Sequence, residues 1–314
     1  MFSLPRLFLN IFLIFLYLNT NAQIKDTSSF FSDFETDMNK ESKAETEIVT
    51  KAFKSTRIIN SQSAEFLGKG ILDFRILHRF GSISSGPYNF YGLDNAFIRL
   101  GLDYGITDRL TIGIGRSTYQ KQFDGFIKAK LLQQKKGAKN IPLSISYVGG
   151  INYASLEYAD PIQNDPINKL YYFHQLLLCR KFNEYFTFQI MPTVVHANYA
   201  PKIINSLGTF NPNDNDLYSI GFGTRIRLSK RVNFTAEYFQ QLNQKNPEAY
   251  NGLGLGIDIE TGGHVFQINV TNAVGMTEQS FINGNSNDFF DGQIHFGFNI
   301  SRVFVLKKPK EFRK

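Results

Sequence analysis

Polar and apolar residues alternate along most of this chain, and the stretch FGTRIRLSKRVNFTAEY at residues 222–238 shows the pattern clearly. From Phe222 to Leu228 every second residue lies on one face, while Arg225 and Arg227 lie on the other. The same alternation resumes after a three-residue turn. Because side chains of a β-strand point to opposite faces in turn, each strand has one largely apolar and one polar side. This pattern is typical of a transmembrane β-barrel, with lipid outside and polar groups inside.

Repeated along residues 70–306, the pattern predicts about twelve strands, so the fold class is an all-β, antiparallel transmembrane barrel. The connections support this prediction, because turn-sized links alternate with long loops rich in Asn, Gly and Pro. Barrels of this class place short turns in the periplasm and long loops outside the cell. Two links depart from the rule: the one after Gln134 is too long for its class, and the one after Tyr119 is too short.

Residues 1–69 lack the alternation. Arg6, the apolar run Leu7–Leu18 and the small residues before Gln23 predict a cleaved signal peptide at residues 1–22. A helical anchor is the alternative, but the run is shorter than the roughly 18 residues that a span needs.

Residues 23–69 are polar and charged, and we interpret them as a periplasmic leader with a short helix around Glu41–Phe53. We expect the leader to dock at the barrel mouth near Ile58–Leu67, while an ordinary disordered leader remains the alternative. Residues 307–314 form a basic C-terminal tail.

Composition narrows the functional classes. The mean hydropathy is −0.21 and the formal net charge is +7. A barrel tolerates such low hydropathy because only half of each strand faces lipid. The single cysteine, Cys179, excludes an internal disulfide framework. Because the positive charge is spread along an exported chain, we predict no nucleic-acid partner.

Several short motifs between Ser55 and Gln133 resemble those of a family of bacterial β-barrel proteins catalogued as domain of unknown function 5777. They are His78–Gly81, Gly92–Asp94, Arg99–Leu102, Gly105–Arg109 and Asp124–Phe126. The resemblance implies an outer-membrane barrel. It implies no activity, substrate or catalytic residues.

Strand parity selects a set of charged residues that we predict to line the lumen. They are Asp73, Arg75, Arg79, Arg99, Asp103, Lys128, Lys130, Arg225, Arg227, Glu237, Asp258 and Glu260. They could form a charged constriction that selects solutes, or a paired network that fills a closed barrel. A barrel of about twelve strands lies between sizes that side chains fill and sizes that leave an open channel, so both readings stay open.

Other motifs predict no nucleotide, metal or catalytic site. Closely spaced glycines such as Gly113, Gly115 and Gly221 lack the strand–turn–helix context of a nucleotide loop, and we expect them to make room in the lumen. The five histidines lack zinc-site spacing, so no metal or other cofactor is predicted. A lipid-modifying enzyme using His78 or His174 is a third hypothesis without a supporting motif.

We therefore expect a bacterial outer-membrane barrel that contacts lipid and forms a narrow pore for small polar solutes. The alternative is a closed structural barrel that binds another envelope component.

Overall fold

The computed structural model describes residues 46–200, 203–205, 208–210, 215–243 and 249–307. The predicted signal peptide, residues 23–45 of the predicted leader and the tail after residue 307 lie outside the described residues. Among the described residues, no helix is long and apolar enough to cross a membrane.

Twelve antiparallel strands form a closed barrel, which confirms the predicted fold class. The strands are β1 (Ile71–Ser82), β2 (Ala96–Thr107), β3 (Leu110–Ser117), β4 (Gln122–Leu132), β5 (Ser144–Ala154), β6 (Leu170–Lys181), β7 (Phe186–Ala197), β8 (Asp216–Arg227), β9 (Val232–Gln241), β10 (Gly252–Thr261), β11 (His264–Thr271) and β12 (His295–Val305). Each strand pairs with its neighbour in the chain, and β12 closes against β1 with Ser301 opposite Arg75. No barrel strand is therefore left with an unpaired edge in the bilayer.

The two faces of the wall have opposite polarity. Apolar side chains cover the outside, where Ile114 on β3 and Ile268 on β11 are exposed. Polar side chains such as Thr187, Gln189 and Asn233 are fully buried inside. This arrangement suits lipid outside, because each backbone group stays in the ladder and only apolar groups meet the acyl chains.

Short turns join most strands at the end where β1 begins, and five of the six connections at the opposite end have at least ten residues. By the rule for such barrels, the first end is periplasmic and the second extracellular. The connection between β3 and β4 is the main exception, since only four residues separate the two strands there. The connection between β4 and β5 is the second exception, because it is long and lies at the periplasmic end. Within it, Lys135–Lys136 pairs with Glu47–Ile48 in a two-strand ribbon.

Two segments fill the lumen. Residues 53–67, here called the plug, enter from the periplasmic end, and Phe53, Ile58, Ile59 and Ser61 are almost completely buried. Residues 273–285, here called the inward loop, fold in from the extracellular connection between β11 and β12 and include a π-helical turn at Gln279–Asn283.

The position of the plug differs from the one predicted for the leader. The sequence suggested that residues 58–67 rest at the barrel mouth, whereas the structure places residues 53–67 inside the lumen. The described part of the expected helix, from residue 46, is not helical and contains a short strand at Glu47–Ile48. Contacts with the wall hold this segment instead, since Gln133 and Lys181 donate to the carbonyls of Val49 and Thr50.

Candidate functional site

The plug is a tight hairpin. The Ile58 N–H donates to the Ser61 carbonyl over 2.8 Å, and Ser63 N–H donates to the Thr56 carbonyl over 3.0 Å. Arg57 and Gln62 form an antiparallel bridge below the turn. At the tip, the N–H groups of Ile59, Asn60 and Ser61 all donate to a single acceptor on the wall.

That acceptor is the carboxylate of Glu237, an inward residue of β9. It receives the N–H groups of Ile59, Asn60 and Ser61 at 3.2, 2.9 and 3.0 Å, and the Ser61 hydroxyl at 2.7 Å. Burying a carboxylate is costly unless its oxygens accept hydrogen bonds. Four donors meet this requirement, so Glu237 holds the tip of the plug at the wall.

Wall amides bind the plug carbonyls. Gln189 on β7 donates to the Gln62 carbonyl over 2.8 Å, and Asn299 on β12 donates to the Ile59 carbonyl over 2.9 Å. Gln267 on β11 donates to the Ile58 carbonyl.

Three wall cations also contact the plug. Lys128 donates to the Glu65 carbonyl over 2.6 Å. Arg75 donates to the Thr56 hydroxyl over 2.6 Å, and Arg79 donates to the Asn60 side-chain oxygen over 2.9 Å. The plug therefore contacts strands around the whole barrel, from β1 to β12.

Missing side chains on the wall make room for the plug. A Cβ on Gly223 of β8 would overlap the Ile58 side chain, and one on Gly254 of β10 would lie 3.1 Å from the Ile59 side chain. The glycine spacing in the sequence was interpreted as room in the lumen, and at these two positions the plug occupies it. Nothing in that spacing identified the occupant.

The inward loop closes the extracellular half. Thr277 and Ser280 each donate a hydroxyl to the Gln122 side-chain oxygen over 2.9 Å, and Gln122 donates to Gln279 over 2.8 Å. Phe281 packs against Phe239 of β9, with ring centroids 5.1 Å apart. The loop is thus fixed by both polar and aromatic contacts.

The plug and the inward loop meet at a buried ion pair. Arg57 Nη1 lies 3.3 Å from Glu278 Oε1, and their side chains are 1% and 3% exposed. Arg57 also donates to the Asn60 carbonyl over 2.5 Å, which ties the pair to the hairpin. Neither residue was singled out from the sequence, because parity applies only within strands and both lie outside them.

The twelve predicted lumen residues fall into two groups. Nine are buried: Asp73, Arg75, Arg79, Arg99, Asp103, Lys128, Arg225, Glu237 and Asp258. Three are partly exposed near the periplasmic ends of their strands: Lys130, Arg227 and Glu260. At this rim, Glu260 pairs with Lys54 over 2.5 Å and Lys130 lies over the Phe66 ring.

The predicted partners differ from the observed ones. In a paired network that fills the barrel, Arg225 and Arg227 would lie beside Glu237 on the adjoining strand. Instead Arg225 donates to the Glu184 carbonyl, and Arg227 lies 3.7 Å from the Glu184 carboxylate in a periplasmic turn.

On the other side of the barrel, wall charges pair with each other. Arg75 contacts Asp73 over 2.5 Å and lies 4.0 Å from Asp103. Arg99 forms two hydrogen bonds with Asp124, an inward residue of β4 that the parity argument could have included. The carboxylates of these pairs all belong to the wall, although Arg75 also donates to Thr56 of the plug.

Cys179 lies under the plug. Its side chain points inward from β6, is 2% exposed, and belongs to the same buried apolar cluster as Phe53. Since the chain has a single cysteine, this thiol is a natural reporter of lumen access.

A family model described as a membrane-bound β-barrel domain, catalogued as domain of unknown function 5777, matches residues 53–304. The chain belongs to this family. The match begins at the first residue of the plug, so the family domain includes the plug as well as the wall. With the closed barrel and its apolar outer face, this membership places the chain in the bacterial outer membrane as a membrane-bound β-barrel.

Solved structures share the general fold at low identity. The NanC porin is 11% identical, with a TM-score of 0.45, over 76% of this chain and 100% of that chain. An outer-membrane channel from Pseudomonas putida F1 is 11% identical, with a TM-score of 0.44, over 76% and 97%. Omp33 of Acinetobacter baumannii is 7% identical, with a TM-score of 0.39, over 74% and 97%. No curated protein sequence matches the chain. At such low identity and TM-score, these likenesses carry no information about the function of this chain.

Proposed function

We propose that this barrel is a gated pore for small polar solutes, closed here by the plug. One observation carries the proposal: the wall completes its hydrogen-bond ladder without the plug. Each of the twelve barrel strands pairs with two other barrel strands, and residues 53–67 contribute no strand to the barrel. The plug can therefore leave without opening the wall.

The chemistry of the interface supports displacement. The plug is held to the wall largely by hydrogen bonds, which Glu237 accepts and Gln189 and Asn299 donate. Water can replace such bonds, so the net free energy of each is far smaller than its strength in an apolar medium. A lumen with a polar lining would also accept water and polar solutes once the plug had moved.

A closed structural barrel that binds an envelope component is the second candidate. It is favoured by the Arg57–Glu278 pair, because separating two buried, paired charges is costly. A catalytic role forms no part of the proposal. His78 stacks on Phe298 on the outer face, and His174 forms a hydrogen bond with Tyr147 there.

Conductance in planar bilayers separates the two candidates. In the full chain, R57E combined with I58D places a like charge beside Glu278 and a carboxylate in an apolar notch, and leaves the wall unchanged. The matched control is R231E combined with I48D, which makes the same changes at exposed positions. Both proteins must keep the heat-resistant mobility of a closed barrel on gels.

We expect the wild type and the control to be silent and the plug variant to conduct. Reaction of Cys179 with a polar maleimide reports whether the plug has left the lumen. A plug variant that stays folded, reacts at Cys179 and never conducts would reject the pore and leave the structural barrel.

A further inference from the structure

The wall contacts the main chain of the plug more than its side chains. Donors on four strands bind plug carbonyls: Lys128, Gln189, Gln267 and Asn299. Glu237 receives three consecutive backbone N–H groups. The contacts extend to the residues before the plug, where Gln133 and Lys181 donate to the carbonyls of Val49 and Thr50 over 3.3 and 3.1 Å.

Such contacts do not depend on the identity of the bound residues. Every peptide carries the same carbonyl and N–H groups at the same spacing, as in strand-addition sites, where main-chain hydrogen bonds give affinity and pockets give specificity. The notches at Gly223 and Gly254 are the pockets here, and each receives one aliphatic side chain. A sugar or an inorganic ion offers no such alternation of donors and acceptors.

The wall also has polar capacity that the plug leaves unused. Among the described residues, Gln189 Oε1 and the side-chain amides of Asn233 and Asn269 are buried and have no hydrogen-bond partner. These three residues lie on β7, β9 and β11, the same part of the wall that binds the hairpin tip. A ligand that carries more amide groups than the plug presents there would satisfy them.

We infer that the lumen wall is a binding site for peptide main chain, and that short peptides are the solutes that the pore admits when the plug moves. This inference rests on the proposed function. The plug occupies the site as an internal peptide and competes with peptides that enter from outside.

Binding is tested first on the opened full chain, R57E combined with I58D, by fluorescence anisotropy with three labelled synthetic peptides. The first has the sequence of residues 53–67. The second carries alanine in place of Asn60, Ser61 and Gln62. The third is N-methylated at the three amides that correspond to residues 59–61. The third peptide loses all three backbone donors to Glu237, whereas the second loses only the Ser61 hydroxyl among them. We therefore expect the third to bind about a hundredfold more weakly, and the second within about tenfold of the first.

The wall side of the contact is tested by Q189L and N299L in the opened chain, each expected to weaken binding of the first peptide about tenfold. Q175L is the matched control, because Gln175 points into the same lumen but donates to Thr193 and not to the plug.

Equal affinity of the N-methylated peptide, or loss of binding with the alanine peptide, would overturn the inference even if the opened chain conducts. A silent opened chain would reject the pore, and with it peptide entry. The anisotropy measurements would then still decide whether the wall binds peptide.

Permeation is tested by the swelling of liposomes that contain the opened chain. We expect N-acetyl-diglycine amide, an uncharged peptide, to enter faster than sorbitol, which has a similar mass. Equal rates would leave a pore without peptide preference and would contradict the inference.

Discussion

The wall and the plug of this barrel are specified in different ways. The wall has a strict two-residue period, because every strand meets lipid on one side and the lumen on the other. The plug has no period. Its conformation depends on hydrogen bonds that Glu237 accepts and Asn299 donates, and both side chains are more than 170 residues away in the chain. A boundary between lipid and lumen therefore produces a regular pattern in the sequence, whereas contacts between residues distant in the chain produce almost none.

The largest expected effect comes from breaking the junction between the plug and the inward loop. E278A leaves the Arg57 guanidinium buried without its counter-charge, and removal of one partner from a buried pair costs about 3–5 kcal/mol. We expect the chain to avoid this cost by releasing the plug, so Cys179 becomes reactive toward a polar maleimide while the barrel keeps its heat-resistant mobility. Replacing both partners, as R57M with E278M, should restore most of the protection. If E278A unfolds the barrel as a whole, the wall is not independent of its contents.

A substitution on the lipid-facing side should destabilise the wall and leave the plug in place. Ile268 on β11 is about half exposed on the outer face, and I268R should destabilise the barrel by about 2–4 kcal/mol if this position lies near the bilayer midplane. Urea unfolding in lipid vesicles measures the loss. Below the unfolding transition, Cys179 should stay protected, because the change does not touch the plug. Equal sensitivity at an inward position such as Asn233 would show that the faces are misassigned.

The next effect tests the single acceptor at the plug tip. E237Q keeps the size and one acceptor oxygen but removes the charge, and hydrogen bonds to a charged group contribute about 1.5–3 kcal/mol. We expect faster thiol labelling than in the wild type and an unchanged urea midpoint. The matched control is D258N, since Asp258 accepts a hydrogen bond from Gln267 of the neighbouring strand. Similar labelling of the two variants would mean that Glu237 has no special role.

The smallest effect concerns the glycine notch. G223A adds one methyl group where Ile58 packs, and overpacking of this kind costs about 1–3 kcal/mol. The combination of G223A with I58V should recover part of the loss, because the shorter side chain removes the overlap. Labelling rates of the single and double variants measure this, and additive effects would show that the two residues do not touch.

Parity was sufficient to predict the wall. It placed Arg75, Arg79 and Glu237 inside from single strands, because lipid imposes the same period on all of them. It could not give the partners of these residues, since pairing depends on distances across the lumen. Glu184 illustrates the limit: it lies in a turn, outside any period, yet it is the acid that Arg227 meets. Glu278 was missed for the same reason.

The occupancy of the lumen is tested most directly by the reactivity of Cys179 toward a membrane-impermeant maleimide in folded, lipid-embedded protein. We expect the wild-type thiol to be protected. R57E combined with I58D should expose it, while the unboiled protein keeps its barrel mobility. Rapid labelling of the wild type would contradict the account, because a thiol beneath a seated plug cannot be reached through the lumen.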